Sequence, residues 1–217
     1  MPVYRFQGIV PVVEPGSYVH PSATLIGDVI VGPGCFIAPG ASLRGDFGRI
    51  VVEGDSSIQD GCCLHTSTAD CIVGRGATIG HGAVLHSCRI GEQTLVGINT
   101  VVLDEAEIGP ECLLAAMSLV KPGQQVPARS LVAGNPARII RTFEPHQVTW
   151  RNTGDGEYQR LTREALTDLV ECAPLQAPEP DRRRIRSNAI AVRVGGATAR
   201  ERERRAAAST RQDVRRD

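Results

Sequence analysis

An aliphatic residue returns every six positions through most of this chain, and no other feature constrains the fold as strongly. Val19, Leu25, Val31, Ile37 and Leu43 keep step. After a gap so do Val52, Ile58 and Leu64, and after another Val73, Ile79 and Leu85. Ile90, Val96, Val102, Ile108, Leu114, Val120, Val126 and Val132 then follow without a slip. A period of six is neither the 3.6 of a helix nor the two of a simple strand. It reads as a short strand and a corner, repeated, with the aliphatic residue pointing inward. A glycine often comes next, as in Val31-Gly32, Val73-Gly74, Ile79-Gly80, Ile90-Gly91, Val96-Gly97 and Ile108-Gly109. We read that glycine as the residue that permits the turn. Three sides close one triangular coil, so these nineteen positions give about six coils, each pairing only with its neighbours about 4.8 Å away.

Composition agrees with a stacked repeat. Aromatic residues make up only 4% of the 217 residues, while glycine (23) and proline (14) are plentiful. The core must therefore be built from Val, Ile, Leu and Ala rather than from large rings. The seven cysteines are odd in number, Cys62 and Cys63 are adjacent, and no CxxC-type spacing occurs. A disulfide framework and a cysteine zinc site are not expected, and a reducing cytoplasm is the expected setting. Nothing in "MPVYRFQGIVPVVEPG" resembles a signal peptide. No run approaches the roughly 20 apolar residues of a membrane helix.

The zero formal net charge is unevenly spread. Residues 181–217 hold 12 arginines against 5 acidic residues, leaving 12 basic and 19 acidic residues in 1–180. A basic tail can serve nucleic acid or a membrane surface. This one has no aromatic residue for base stacking, so a solvated tail is the expected reading and no nucleic-acid partner is assigned. The domain organisation expected is a coiled prism over 1–142, a helical extension over 143–175 and a basic tail over 176–217. In the extension "EPHQVTWR" reads as a short helix. "EYQRLTREALTDLVEC" puts Tyr158, Leu161, Ala165, Leu169 and Cys172 on one helical face, which should lie against the outside of the prism until Pro174 ends it.

The period also assigns a phase to each histidine. His65 follows the inward Leu64 and His86 follows the inward Leu85. Their separation of 21 is one coil of eighteen plus the three extra residues between Leu64 and Val73. The two should sit one rung apart on the same side, and about 4.8 Å suits two imidazoles sharing a metal at about 2.0–2.1 Å each. His81 has a different phase and should face another side, where a threefold assembly brings it to a neighbour's His65/His86 pair. Three neutral imidazoles with an open fourth position make a catalytic metal site, where the ion lowers the pKa of its bound water to about 7. The plain alternative is three surface histidines hydrogen-bonded between coils. Imidazole ligands suit Zn2+, Fe2+ or Co2+.

The hexapeptide pattern resembles proteins whose fold is a left-handed parallel β-helix, usually a homotrimer. The left hand is implied by that resemblance, since the general rule for parallel crossovers favours the right hand. The segments "SLRGDFGRI", "SIQDGCCLH" and "IGHGAVLHSC" resemble the γ-class carbonic anhydrase-like family over roughly residues 10–141. The resemblance implies that His65, His81 and His86 bind a divalent metal at the trimer interface. It implies that Arg44 and Asp46 pair across that interface, that Gln59 orients the metal-bound water, and that Asp60 supports the arginine. Over residues 1–185, "MPVYRFQG", "LRGDFGRIVV", "VGINTVVLDEAEIG" and "WRNTGDGEYQRL" are most similar to the phenylacetate-degradation and carnitine-operon branch of the family. That branch implies a metal-dependent thioesterase acting on acyl-CoA compounds, with Tyr158 as a hydrogen-bond donor if its helix reaches the site. A packed helix tyrosine serves equally well as a reading of Tyr158.

One departure bears on the reaction. The archetypal carbonic anhydrase of this class carries proton-shuttling glutamates where this chain has Phe47 and "TSTAD", in which Asp70 is the single acid. Rapid CO2/bicarbonate interconversion needs such a proton exit. The thioesterase therefore stands first and carbonic anhydrase second. A hexapeptide acyltransferase and a trimeric scaffold with a structural metal stand behind them.

Overall fold

The computed structural model describes residues 1–67, 69–152 and 156–185. The chain winds into a parallel β-helix with three faces, whose successive rungs pair parallel, with a register shift at Gly27–Val29 and an antiparallel closing strand. Every six-residue aliphatic position except Val19 is buried, and Val19 packs against the same core. Each inward residue stacks on its counterpart one coil away, as Leu43, Leu64, Leu85, Val102 and Val120 do. A fully buried Leu or Ile contributes about 1.5–3 kcal/mol relative to exposure, so the column is the main source of cohesion.

The helix has seven coils rather than the six read from the sequence. Val12–Val13 pairs with Ile30–Val31, and Val3–Tyr4 pairs with Leu25–Ile26. Val13 is one beat before Val19, but a tight turn closed by the Phe6 and Ile9 backbones throws Val3 out of step. The last coil is closed by Arg138–Thr142, which runs back antiparallel along Ser130–Ala133.

The glycines after the aliphatic positions are needed for close approach rather than for turning. A Cβ on Gly74 would lie 2.6 Å from the Glu92 nitrogen of the next coil, and one on Gly80 would lie 2.7 Å from the Val96 oxygen. Positive φ falls two residues further on, at Gly76 and Gly82. There, Cα substituents are disfavoured by the left-handed backbone itself.

All three slips in the repeat fall at one corner, between the face containing Cys63–His65 and the face containing Cys71–Val73. In the first, Gly27 pairs with Gly45 and Val29 with Ile50, so Asp28 alone faces Asp46–Arg49. The next coil repeats the excursion between His65 and Cys71. In the third, Ser87 and Cys88 alone span the corner between His86 and Arg89, opposite 66–71. The chain bulges here while its core stays in register.

Beyond the prism, Pro145–Gln147 forms one 3-10 turn and Glu157–Asp168 an α-helix. That helix packs outside the prism against the third face, where Ala165 meets Phe36, Ala38 and Tyr18. Its buried residues are Gln159, Thr162 and Ala165. The expected apolar face is therefore corrected, because Leu161, Leu169 and Cys172 are exposed. The third face offers backbone carbonyls at its corners, and Gln159 Nε2 donates to the Asp55 oxygen at 2.8 Å. The helix ends at Asp168, before the expected stop at Pro174. The cysteines of the described residues are all free. Of the basic tail, residues 186–217 lie outside the described residues.

Candidate metal centre

His65 and His86 are in-register partners on adjacent rungs of the first face, and Arg44 is the next partner in the same column. The side chains converge at the slipped corner. Nδ1 of His65 and Nε2 of His86 lie 3.1 Å apart, with ring centroids at 5.1 Å. Each ring is backed by a carboxylate. His65 Nε2 donates to Asp46 Oδ1 at 2.9 Å, and His86 Nδ1 donates to Asp104 Oδ1 at 2.9 Å.

These contacts set the tautomers. An ionised carboxylate can only accept, so the outer nitrogens carry the protons. Burial alone would push the Asp46 carboxyl up, but the Arg44 guanidinium and His65 outweigh it and hold it below its ordinary value. Burial likewise acts upward on Asp104, and the Ser67 hydroxyl, its own backbone N–H and His86 bring it down. Both carboxylates are thus ionised at neutral pH. The two inner nitrogens face each other across 3.1 Å, at hydrogen-bond distance. With both rings neutral each presents a lone pair, and a shared proton or a bound cation relieves the repulsion. Two ligands of a tetrahedral ion bonded at about 2.0–2.1 Å are about 3.3 Å apart, so the pair fits a first-row divalent metal.

His81 stands at a different corner, between the third and first faces. Its Nδ1 donates to Asp60 Oδ2 at 2.8 Å, which leaves Nε2 as a free ligand atom. Its side chain is 51% exposed, against 15% for His65 and 29% for His86. Among the described residues of one chain, no group of three His, Cys, Asp or Glu side chains converges on a common point. Gln59 and Asp60 belong to the His81 corner. Gln59 is buried, and its amide donates to the Ser57 hydroxyl. Burial pushes the Tyr158 phenol up, and the Glu157 and Asp60 charges add to the shift.

Of the eight site residues expected from sequence, Arg44, Asp46, His65 and His86 meet at the slipped corner, with Arg44 bonded to Asp46 within the chain. Gln59, Asp60 and His81 stand at the other, where Asp60 accepts from the His81 ring of its own chain. Tyr158 is carried by the helix Glu157–Asp168. Asp104 and Ser67 were missed. Ser67 Oγ donates to Asp104 Oδ1 at 2.8 Å and so orients the carboxylate behind His86. Asp104 comes one residue after Leu103, the position one coil on from His86, so the phase of the repeat gave no signal for it. Phe47 stands over the pair, 71% exposed, with its ring edge-on to His65 at 5.9 Å.

Comparison with known proteins gives a consistent picture. A bacterial transferase hexapeptide (six repeats) profile matches residues 11–45. Carnitine operon protein CaiE of Proteus sp. (strain LE138) is 50% identical over 187 residues, covering 86% of this chain and 95% of its own. CaiE of Escherichia coli (strain K12) is 48% identical over 186 residues, covering 85% and 95%. Among solved structures, a hexapeptide transferase family protein from Anaplasma phagocytophilum matches with TM-score 0.71 and 33% identity, over 75% of this chain and 96% of that one. A Bacillus cereus protein described as a putative acetyltransferase matches with TM-score 0.67 and 29% identity, over 75% and 91%.

Proposed function

Since the chain belongs to the hexapeptide-repeat family represented by the carnitine operon protein CaiE, we propose that it is a metal-dependent thioesterase of the PaaY type. Its substrates would be acyl-CoA compounds, and its active centre would be shared between subunits of a trimer. The observation that carries this reading is the pair of facing, carboxylate-backed nitrogens of His65 and His86. Such carboxylate–histidine pairs are the usual support of catalytic metal ligands. His81, backed in the same way by Asp60 but at another corner, supplies the third ligand to a neighbouring subunit's pair. A divalent ion held by three imidazoles supplies Lewis acidity and a nucleophile at neutral pH.

The chain's own residues do the rest. Asp46, Asp60 and Asp104 fix the three imidazole tautomers, and Arg44 and Ser67 hold two of those carboxylates in place. In this reading Gln59 and Tyr158 orient the attacked carbonyl and the incoming water. Phe47 gives the entrance an apolar lip suited to an acyl group.

Two observations favour ester hydrolysis over CO2 hydration in this reading. Phe47 offers no proton acceptor, and Asp70, the single acid of the following loop, is taken up by the Arg49 backbone N–H at 3.0 Å. An acyltransferase would need no metal. The deciding experiment assays a panel of acyl-CoA esters and stopped-flow CO2 hydration before and after chelation, then after adding Zn2+, Fe2+ or Co2+. Metal-restored ester hydrolysis is expected. Brisk CO2 turnover with no ester hydrolysis would reverse the order, and full acyl transfer after chelation would overturn the metal reading. Among the described residues no helix is long and apolar enough to cross a membrane.

A further inference from the structure

We infer that the same corner carries a second, separate seat for a phosphorylated ligand, made by Lys121 and Arg138. Lys121 is the only lysine in the sequence. It follows the inward Val120, which pairs with Val102, and Val102 pairs with Leu85. Lys121 therefore continues the outward column Arg44, His65, His86, Leu103. Two rungs separate it from His86, about 10 Å along the corner. It lines an open groove of about 450 Å³ together with Gly123, Gln124, Arg138 and Ile139. Both cations are exposed, and among the described residues neither has an ion-pair partner.

The acidic groups nearby do not neutralise the groove. Asp104, one rung below, is engaged by His86 and Ser67. Glu105 and Glu107 line a different groove on the far side of Gly123, together with Arg89 and Asp70. Two uncompensated cations facing one concavity recognise phosphate, with Arg able to bind it bidentately.

The column then has a direction. Phe47 lies at the Arg44 end, the histidine pair in the middle, and the cations at the far end. A ligand with an apolar acyl group, a reactive carbonyl and a distant phosphate fits in that order. The identity of the ligand as the CoA part of the substrate rests on the thioesterase reading, while the phosphate chemistry does not.

The test is therefore made in two arms on the full chain loaded with metal. In the first, 3′,5′-ADP and inorganic phosphate are titrated calorimetrically into wild type, Lys121→Glu/Arg138→Glu and Lys121→Arg. We expect 3′,5′-ADP to bind wild type and Lys121→Arg and to weaken about tenfold or more in the double variant. Undiminished binding in the double variant overturns the seat. Equal affinity for 3′,5′-ADP and inorganic phosphate overturns its assignment to CoA. In the second arm, KM for an acyl-CoA ester should rise about tenfold in the double variant with kcat unchanged. KM for the matching N-acetylcysteamine thioester, which lacks the phosphates, should not move. A parallel rise for both esters counts against the seat. If wild type hydrolyses neither ester, the thioesterase reading fails and the 3′,5′-ADP titration still decides the seat.

Discussion

Between Leu43 and Ile90 the six-residue beat breaks three times; between Ile90 and Val132 it never does. The core cannot tell these regions apart, for Leu64 and Leu85 are as fully buried as Val102 and Leu114. The difference lies outside. In the regular upper coils each corner is a minimal turn. At two of the three breaks extra residues leave the prism at one corner, and the first of these brings Asp46 and Phe47 over the His65/His86 pair; the third break is one residue short. An inward period fixes the architecture. The His65/His86 pair lies where the chain departs from that period, and His81 lies at a corner that keeps it.

The comparison can be broken most decisively at the third histidine, which lies on neither side of the slipped corner. His81→Ala should abolish bound metal and ester hydrolysis, a larger loss than the 10–100-fold typical of removing a supporting residue. Mixing His81→Ala chains with His86→Ala chains should rebuild some intact centres. Metal content and activity that stay at zero at every mixing ratio would contradict sharing between subunits.

Next in size, Leu64→Ala should cost about 2–5 kcal/mol in urea unfolding, as should Leu114→Ala in the regular coils. Near-equal values would show that the slips spare the core. A much smaller cost at Leu64 would show that the broken region is already loosely packed.

Asp104→Asn should lower metal affinity about 10–100-fold with unfolding unchanged within about 1 kcal/mol. A metal titration that matches wild type would remove Asp104 from the centre.

The smallest effect is in pH. Asp46 and Asp104 sit below their ordinary pKa in the folded chain, so their stabilisation is present above the unfolded value of about 3.9 and is lost as pH falls through the folded values. Urea midpoints of metal-free protein measured from pH 5 downward should therefore decline less steeply in Asp46→Asn than in wild type. Identical slopes would mean that the Arg44 and His65 contacts do not persist in solution.

Much of this was legible in the sequence because a repeat turns spacing into position. The phase of His65 and His86 relative to Leu64 and Leu85 was enough to place them on adjacent rungs, and the structure puts them there. The same arithmetic leads from His86 to Leu103 and passes over Asp104, which stands one residue further into the corner. Other features were not legible for physical reasons. Val3 pairs with Leu25 only because the Phe6–Ile9 turn absorbs the extra residues, and no period survives a turn of unknown length. The helix Glu157–Asp168 buries Gln159, Thr162 and Ala165, because a surface of strand edges and carbonyls rewards small and hydrogen-bonding side chains over leucine. The glycines were noticed but misread, since a contact with the next coil, such as Gly74 against Glu92, leaves no mark on local sequence.

The seven stacked coils also place the histidines in the middle of a row. His65 opens the fourth coil and His86 the fifth, and each layer is held only by the layers beside it. In such a row melting starts at the two termini and works inward, so the outermost layers exchange with solvent soonest. The ligand pair sits about as far from either end as the row allows, and would keep its geometry while the flanking layers breathe.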